Sequence, residues 1–102
     1  MDVVFVERQF ELGDGATVVL RFLRPEPDGN DYRCDYKIVW PDRERSAYAM
    51  GVDAVQALLL AMQRAHMDLL VSPERKAGSL LYLGERDLGL PLPPSSRPED
   101  FD

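Results

Sequence analysis

Two hydrophobic periods divide this chain, and the change from one to the other falls near residue 51. Before it, apolar and polar residues alternate in short runs, the period of half-buried strands. Val3 to Leu12 puts Val4, Val6, Phe10 and Leu12 on one face and Glu7, Gln9 and Glu11 on the other. Arg8 interrupts the apolar side, where its stem can lie along the sheet while its head stays wet. Gly13-Asp14-Gly15 tolerates positive φ and predicts a tight hairpin. Thr17 to Arg24 returns with Val18, Leu20 and Phe22 on one face and Val19 and Leu23 partly filling the other. Pro25 to Asp31 reads as a turn. Tyr32 to Trp40 alternates most cleanly, with Tyr32, Cys34, Tyr36, Ile38 and Trp40 facing inward. Pro41 to Glu44 turns again, and Arg45 to Met50 is a shorter fourth strand.

From Val52 to Val71 the period becomes 3.6. Asp53 is a good N-cap, and Gln56 stands three residues on, where it can reach back to the cap's amide. Val55, Leu58, Leu59, Met62, Ala65, His66 and Leu69 draw one broad apolar stripe, with Gln56, Gln63, Arg64 and Asp68 opposite. Ser72-Pro73 ends the helix, because proline disfavours helical geometry in the residue before it. Such a helix is about 27 Å long, enough to cross a small sheet. Its charges rule it out as a membrane span.

Beyond it, Ser72 to Gly78 is a connection with room for one helical turn, and Ser79 to Leu83 predicts a last short strand. Gly84 to Asp87 turns the chain. Leu88 to Pro94 is extended with a polyproline bias, its leucines against the domain. Together these elements predict an α+β fold: an antiparallel meander of four to five strands with one long amphipathic helix on one face. Residues 1–94 form a single domain and 95–102 a mobile polar tail.

A chain of 102 residues can bury one core without metal or disulfide staples. Its net charge of −6 is spread evenly along it and includes no basic block. That argues against gripping a phosphate backbone and for a basic partner, if the partner is charged. Cys34 is the single cysteine, so no internal disulfide forms and a reducing compartment fits. The opening MDVVFVERQF lacks the basic and apolar regions of a secretory signal, and a cytoplasmic location is expected.

The chemistry-bearing residues are sparse. His66, the single histidine, lies near the apolar stripe with no polar partner in sight, so a core-margin role outweighs a catalytic one. Cys34, between two inward tyrosines, reads as an inert buried thiol. One His and one Cys offer no metal-ligand spacing, and no cofactor is expected. Asp28 to Asp31 lacks the ligand register of a calcium loop, and Gly13 to Gly15 is too short for a phosphate loop. Glu85-Arg86-Asp87 stands out: an arginine between two carboxylates can clamp locally or present its planar fork to a partner. Alternation sends Tyr36 and Trp40 inward and leaves Tyr48 as the aromatic candidate for contact.

Three segments carry a family resemblance: GVDAVQALLLAMQ (Gly51–Gln63), SPERKAG (Ser72–Gly78) and LGERDLGLPLP (Leu83–Pro93). Together they resemble a family of small bacterial proteins classed as a domain of unknown function, over roughly residues 40–93. Where that family commonly has tryptophan shortly before GERD, this chain has Tyr82. The resemblance implies a bacterial origin and a single domain, and brings no activity with it.

The resulting expectation is a non-catalytic protein-interaction module of immunity or antitoxin character, whose acidic surface meets a partner protein. Glu85, Arg86, Asp87 and Tyr48 are the contact candidates. An open sheet edge at the first or last strand could pair with a second copy to give a homodimer. The alternative is a small-ligand binder or enzyme with a pocket between sheet and helix near His66, Cys34 or Tyr36. Neither nucleic acid nor membrane is expected as a partner.

Overall fold

The computed structural model describes residues 3–101, so the last residue of the predicted tail lies outside it. The fold is α+β, an open antiparallel sheet of five strands with one main helix. The strands are β1 (Val4–Glu11), β2 (Thr17–Leu23), β3 (Glu26–Asp28), β4 (Asp31–Val39) and β5 (Glu44–Gly51). β4 is central: it pairs β5 along one side and both β2 and β3 along the other. β2 and β3 therefore act as one bent strand, and β1 closes the far side against β2. The predicted turn at Pro25 to Asp31 thus holds a three-residue strand, because Glu26 pairs with Arg33 before Gly29, at φ 62, reverses the chain.

β4 buries Cys34, Tyr36, Ile38 and, just past its end, Trp40, as its alternation requires. β2 buries Val18, Leu20 and Phe22 on the same face. β1 departs from expectation. Phe10 is buried, but Val4 and Val6 are exposed, because no element covers the beginning of that strand. The register also shifts between Val4 and Val6, which opposes Leu23 to Val4 and Phe22 to Val6.

The helix α1 (Ala54–Leu70) is continuous and capped as its sequence demands: Asp53 accepts from the Gln56 amide at 2.8 Å. Gln56 reaches back one residue further than expected, accepting from Val52 N at 2.7 Å. Its buried face differs from the predicted stripe. Ala57, Ala61, Ala65, His66, Leu69 and Leu70 turn inward and Leu58 and Met62 are half-buried, while Val55 and Leu59 face solvent. The reason is close packing on the β4–β5 side of the sheet, where β5 directs Ala47, Ala49 and Gly51 towards it. A Cβ on Gly51 would sit 2.4 Å from Ala57 N, so this crossing has no space for a larger side chain.

After α1, the Ser72 hydroxyl donates to Leu69 O at 2.7 Å and accepts from Arg75 N at 3.1 Å, which starts the short helix α2 (Pro73–Lys76). The following segment, residues 79–94, runs beside α1 as a strap and completes the second layer. Leu80 and Leu88 are buried, and Leu90 and Leu92 pack against the core. The predicted last strand shrinks to a single bridge, Leu81 to Glu11, because the chain turns at once at Tyr82. A 3-10 turn, Pro98–Phe101, rests on α1 with Phe101 half-buried.

Candidate functional site

The stretch 82–89 is pinned from several directions. Tyr82 and Glu85 exchange both backbone hydrogen bonds, 2.8 and 2.9 Å, around Leu83 at φ 51 and Gly84 at φ 81. Two successive positive φ values are the pattern of a type I′ turn, which glycine enters freely and leucine does not. The base is tied to β1 by the Glu11–Leu81 pair at 2.8 and 2.9 Å, and the Gly84 amide donates to Glu11 Oε1 at 3.1 Å. On the other flank Arg75, itself buried, donates to the Arg86 carbonyl. Arg8 donates to the carbonyls of Leu88 and Gly89 at 3.1 and 2.8 Å, and its guanidinium lies 4.3 Å from the Tyr82 ring centroid. The arginine that broke the alternation of β1 is therefore the clasp that holds the strap.

Glu85, Arg86 and Asp87 all lie on the exposed side of this turn. Asp87 also accepts from the Gly89 amide at 2.8 Å and so shapes the exit. The most exposed apolar residue of the region is Leu83, at 77%. Its type alone does not mark it, though the sequence holds a signal. An apolar residue directly before a turn glycine, with Tyr82 and Glu85 as stems, points outward.

Tyr48 sits elsewhere. It projects from the outer face of β5, half-exposed, with the Arg33 guanidinium 3.8 Å from its ring centroid and Asp35 holding Arg33 at 2.9 Å. Cross-strand register sets it opposite Asp35, around one hollow with Leu23, the residue that Val4 opposes, whereas the turn adjoins Glu11 at the far end of β1. Those two places are about 20 Å apart along the strands. The four residues thus divide between two surfaces.

The residues named for an internal pocket are packed. Burial pushes the Cys34 thiol up to about 11, with Asp35 adding to it, and leaves it protonated at neutral pH. Tyr36 donates its hydroxyl to Asp68. His66 Nδ1 lies 3.1 Å from the Pro91 carbonyl, which requires the proton on that nitrogen, and burial lowers its pKa. Three surface hollows lie beside Tyr48, between the beginnings of β1 and α1, and among Asp14, Asp42 and Glu74; Tyr36 borders the first, and neither Cys34 nor His66 borders any of them. Among the described residues no three His, Cys, Asp or Glu side chains are grouped to hold a metal ion. No described helix is long and apolar enough to cross a membrane.

A family model described as Domain of unknown function (DUF6968) matches residues 6–92. The chain belongs to this family. The matched stretch takes in nearly all of the sheet, α1 and most of the strap, so the DUF6968 unit is the whole two-layer domain rather than its second half. Both the 83–87 turn and Tyr48 lie within it. No curated protein and no solved structure matches the chain.

Proposed function

We propose that this DUF6968 protein is a non-catalytic protein-interaction module of the bacterial cytoplasm, immunity- or antitoxin-like in character, that docks through its 83–87 turn. The observation that carries the reading is Leu83, 77% exposed at φ 51 in a turn whose base is fixed on both flanks. An L-residue held left-handed costs roughly 1–2 kcal/mol, and such strain at an exposed tip is characteristic of contact sites. Glu11 and Glu85 adjoin the tip and Asp14 lies at the same end of the sheet, where Asp42 and Glu74 are both already held by Arg43 at 2.8–2.9 Å. An apolar knob flanked by Glu11 and Glu85 suits a basic surface with an apolar notch. The pinned base keeps the ordering cost of docking low. Binding would act by occlusion, since among the described residues neither Cys34 nor His66 stands near the tip. The ligand-pocket reading has less support, because Cys34 and His66 lie in packed surroundings and Tyr36, though it borders the hollow beside Tyr48, is itself almost fully buried.

Capture from host lysate with immobilised protein tests this. The expected result is one protein retained at low salt, weakened at high salt, lost on Leu83→Gly or Glu85→Lys, and kept on Tyr48→Ser. Retention unaffected by both turn variants, or no specific retention at any salt, would overturn the proposal.

A further inference from the structure

The second layer leaves one corner of the sheet open. α1 lies on β4 and β5, and the strap covers the flank of α1 only along its later half, where His66 meets Pro91. Opposite the first half, Val3, Val4, Phe5 and Val6 of the β1 segment and Val55 and Leu59 of α1 are exposed. Val3, Val4, Phe5 and Val55 border a largely apolar hollow of about 700 Å³ that Pro25, Pro27 and Tyr32 help to line, and Val6 and Leu59 continue the same two elements beyond it. Proteins do not usually leave so much contiguous apolar surface in water without a use for it.

We propose that this corner is where two copies of the chain pack on each other across a two-fold axis. Three observations favour a second copy as the occupant. The first is extent: Val3, Val4, Phe5 and Val55 form one exposed apolar face around the hollow, broad enough to be covered by the same face of a second copy rather than by a single side chain. The second is charge. With a net charge of −6 one copy repels another, so self-association needs a place without acidic excess. This corner has Arg24 and Glu26, one charge of each sign, among the residues that line it. An isologous contact brings each copy's arginine towards the other's glutamate, whereas a strongly charged partner finds no matching field there. The third is the backbone. The register shift between Val4 and Val6 breaks the regular ladder of β1 where it is most apolar, so side-chain packing rather than strand addition joins the copies.

Sedimentation of the full chain over a range of concentrations tests this. A monomer–dimer equilibrium at micromolar concentration is expected. Val55→Glu and Phe5→Glu, both at exposed positions, should each raise its dissociation constant more than about thirty-fold with an unchanged circular dichroism spectrum. Val71→Glu, an exposed apolar site at the other end of α1, should leave it unchanged, and so should Leu83→Gly, which separates this surface from the turn. A wild-type chain that stays monomeric at its highest soluble concentration overturns the proposal. A dimer that survives both glutamates, or that Val71→Glu disrupts equally, does so too.

Discussion

The Tyr36 hydroxyl donates to the Asp68 carboxylate, joining the centre of the sheet to the last turns of α1. Arg45 of β5 donates to the same carboxylate at 2.9 Å, so three elements meet on one side chain. Tyr36 is almost fully buried, and burial followed by the Asp68 contact holds its hydroxyl well above the usual phenol range. Tyr36→Phe should cost about 1–2 kcal/mol, since Asp68 retains Arg45. Asp68→Ala should cost more, about 2–3 kcal/mol, because it leaves a buried hydroxyl without its acceptor. Urea denaturation of the two variants gives the ordering, and equal losses would contradict it.

Gly51 has no alternative at its position. An added methyl meets Ala57 N at 2.4 Å and the Gln56 carbonyl carbon at 2.8 Å, backbone atoms that cannot swing aside. Gly51→Ala should therefore destabilise by about 3 kcal/mol by displacing the capped first turn of α1. A thermal midpoint within a degree or two of the wild type would show that the crossing is looser than described.

His66 makes stability fall in mild acid. Its folded pKa lies below its ordinary 6.5 because of burial, so the unfolded chain binds the proton first as pH drops. Stability should therefore decline from about pH 6.5 downward until the folded-state pKa is passed. His66→Asn, which keeps a donor for the Pro91 carbonyl, should lessen this part of the decline. Chemical denaturation at pH 7.5 and pH 5 compares the two chains, and parallel slopes would exclude His66 as the cause.

Cys34 should be silent towards thiol reagents in the native state. With the thiol at about 11 and no exposed surface, its labelling rate at pH 8 should fall at least about a hundred-fold below that of an exposed cysteine. Full reactivity should return in denaturant. Fast native labelling would mean that β4 is accessible.

Leu83→Gly should stabilise the free protein while removing the proposed contact. Relief of the left-handed leucine, about 1–2 kcal/mol, outweighs the added backbone entropy of glycine, about 0.5–1 kcal/mol. A higher denaturation midpoint with weaker partner capture would separate the tip's role in binding from its role in folding.

Where residues near in sequence settle a feature, reading the chain recovers it. The alternation of β4 identifies Tyr32, Cys34, Tyr36, Ile38 and Trp40 as inward, and that face is buried from Cys34 onward, with Tyr32 half-buried at its start. The Asp53 cap follows from a carboxylate three residues ahead of an unpaired amide. Gly84 to Asp87 is legible as a turn, but its exposure, and the prominence of Leu83 just before it, follow only from the tertiary structure. The alternation of β5 leaves the side of Tyr48 open, and only the cross-strand register shows that it is exposed on a surface apart from the turn.

Sequence by itself determined the α+β class, the order of most elements and the extent of α1, since periodicity and capping act over a few residues. Only the tertiary structure decided which side of α1 is buried. Alanine is ambiguous in any hydrophobic pattern, and Ala57, Ala61 and Ala65 turn inward because the small residues of β5 bring the helix close. That placement leaves Val55, Leu59 and the beginning of β1 uncovered, since whether an apolar residue is buried depends on a neighbour remote in the chain.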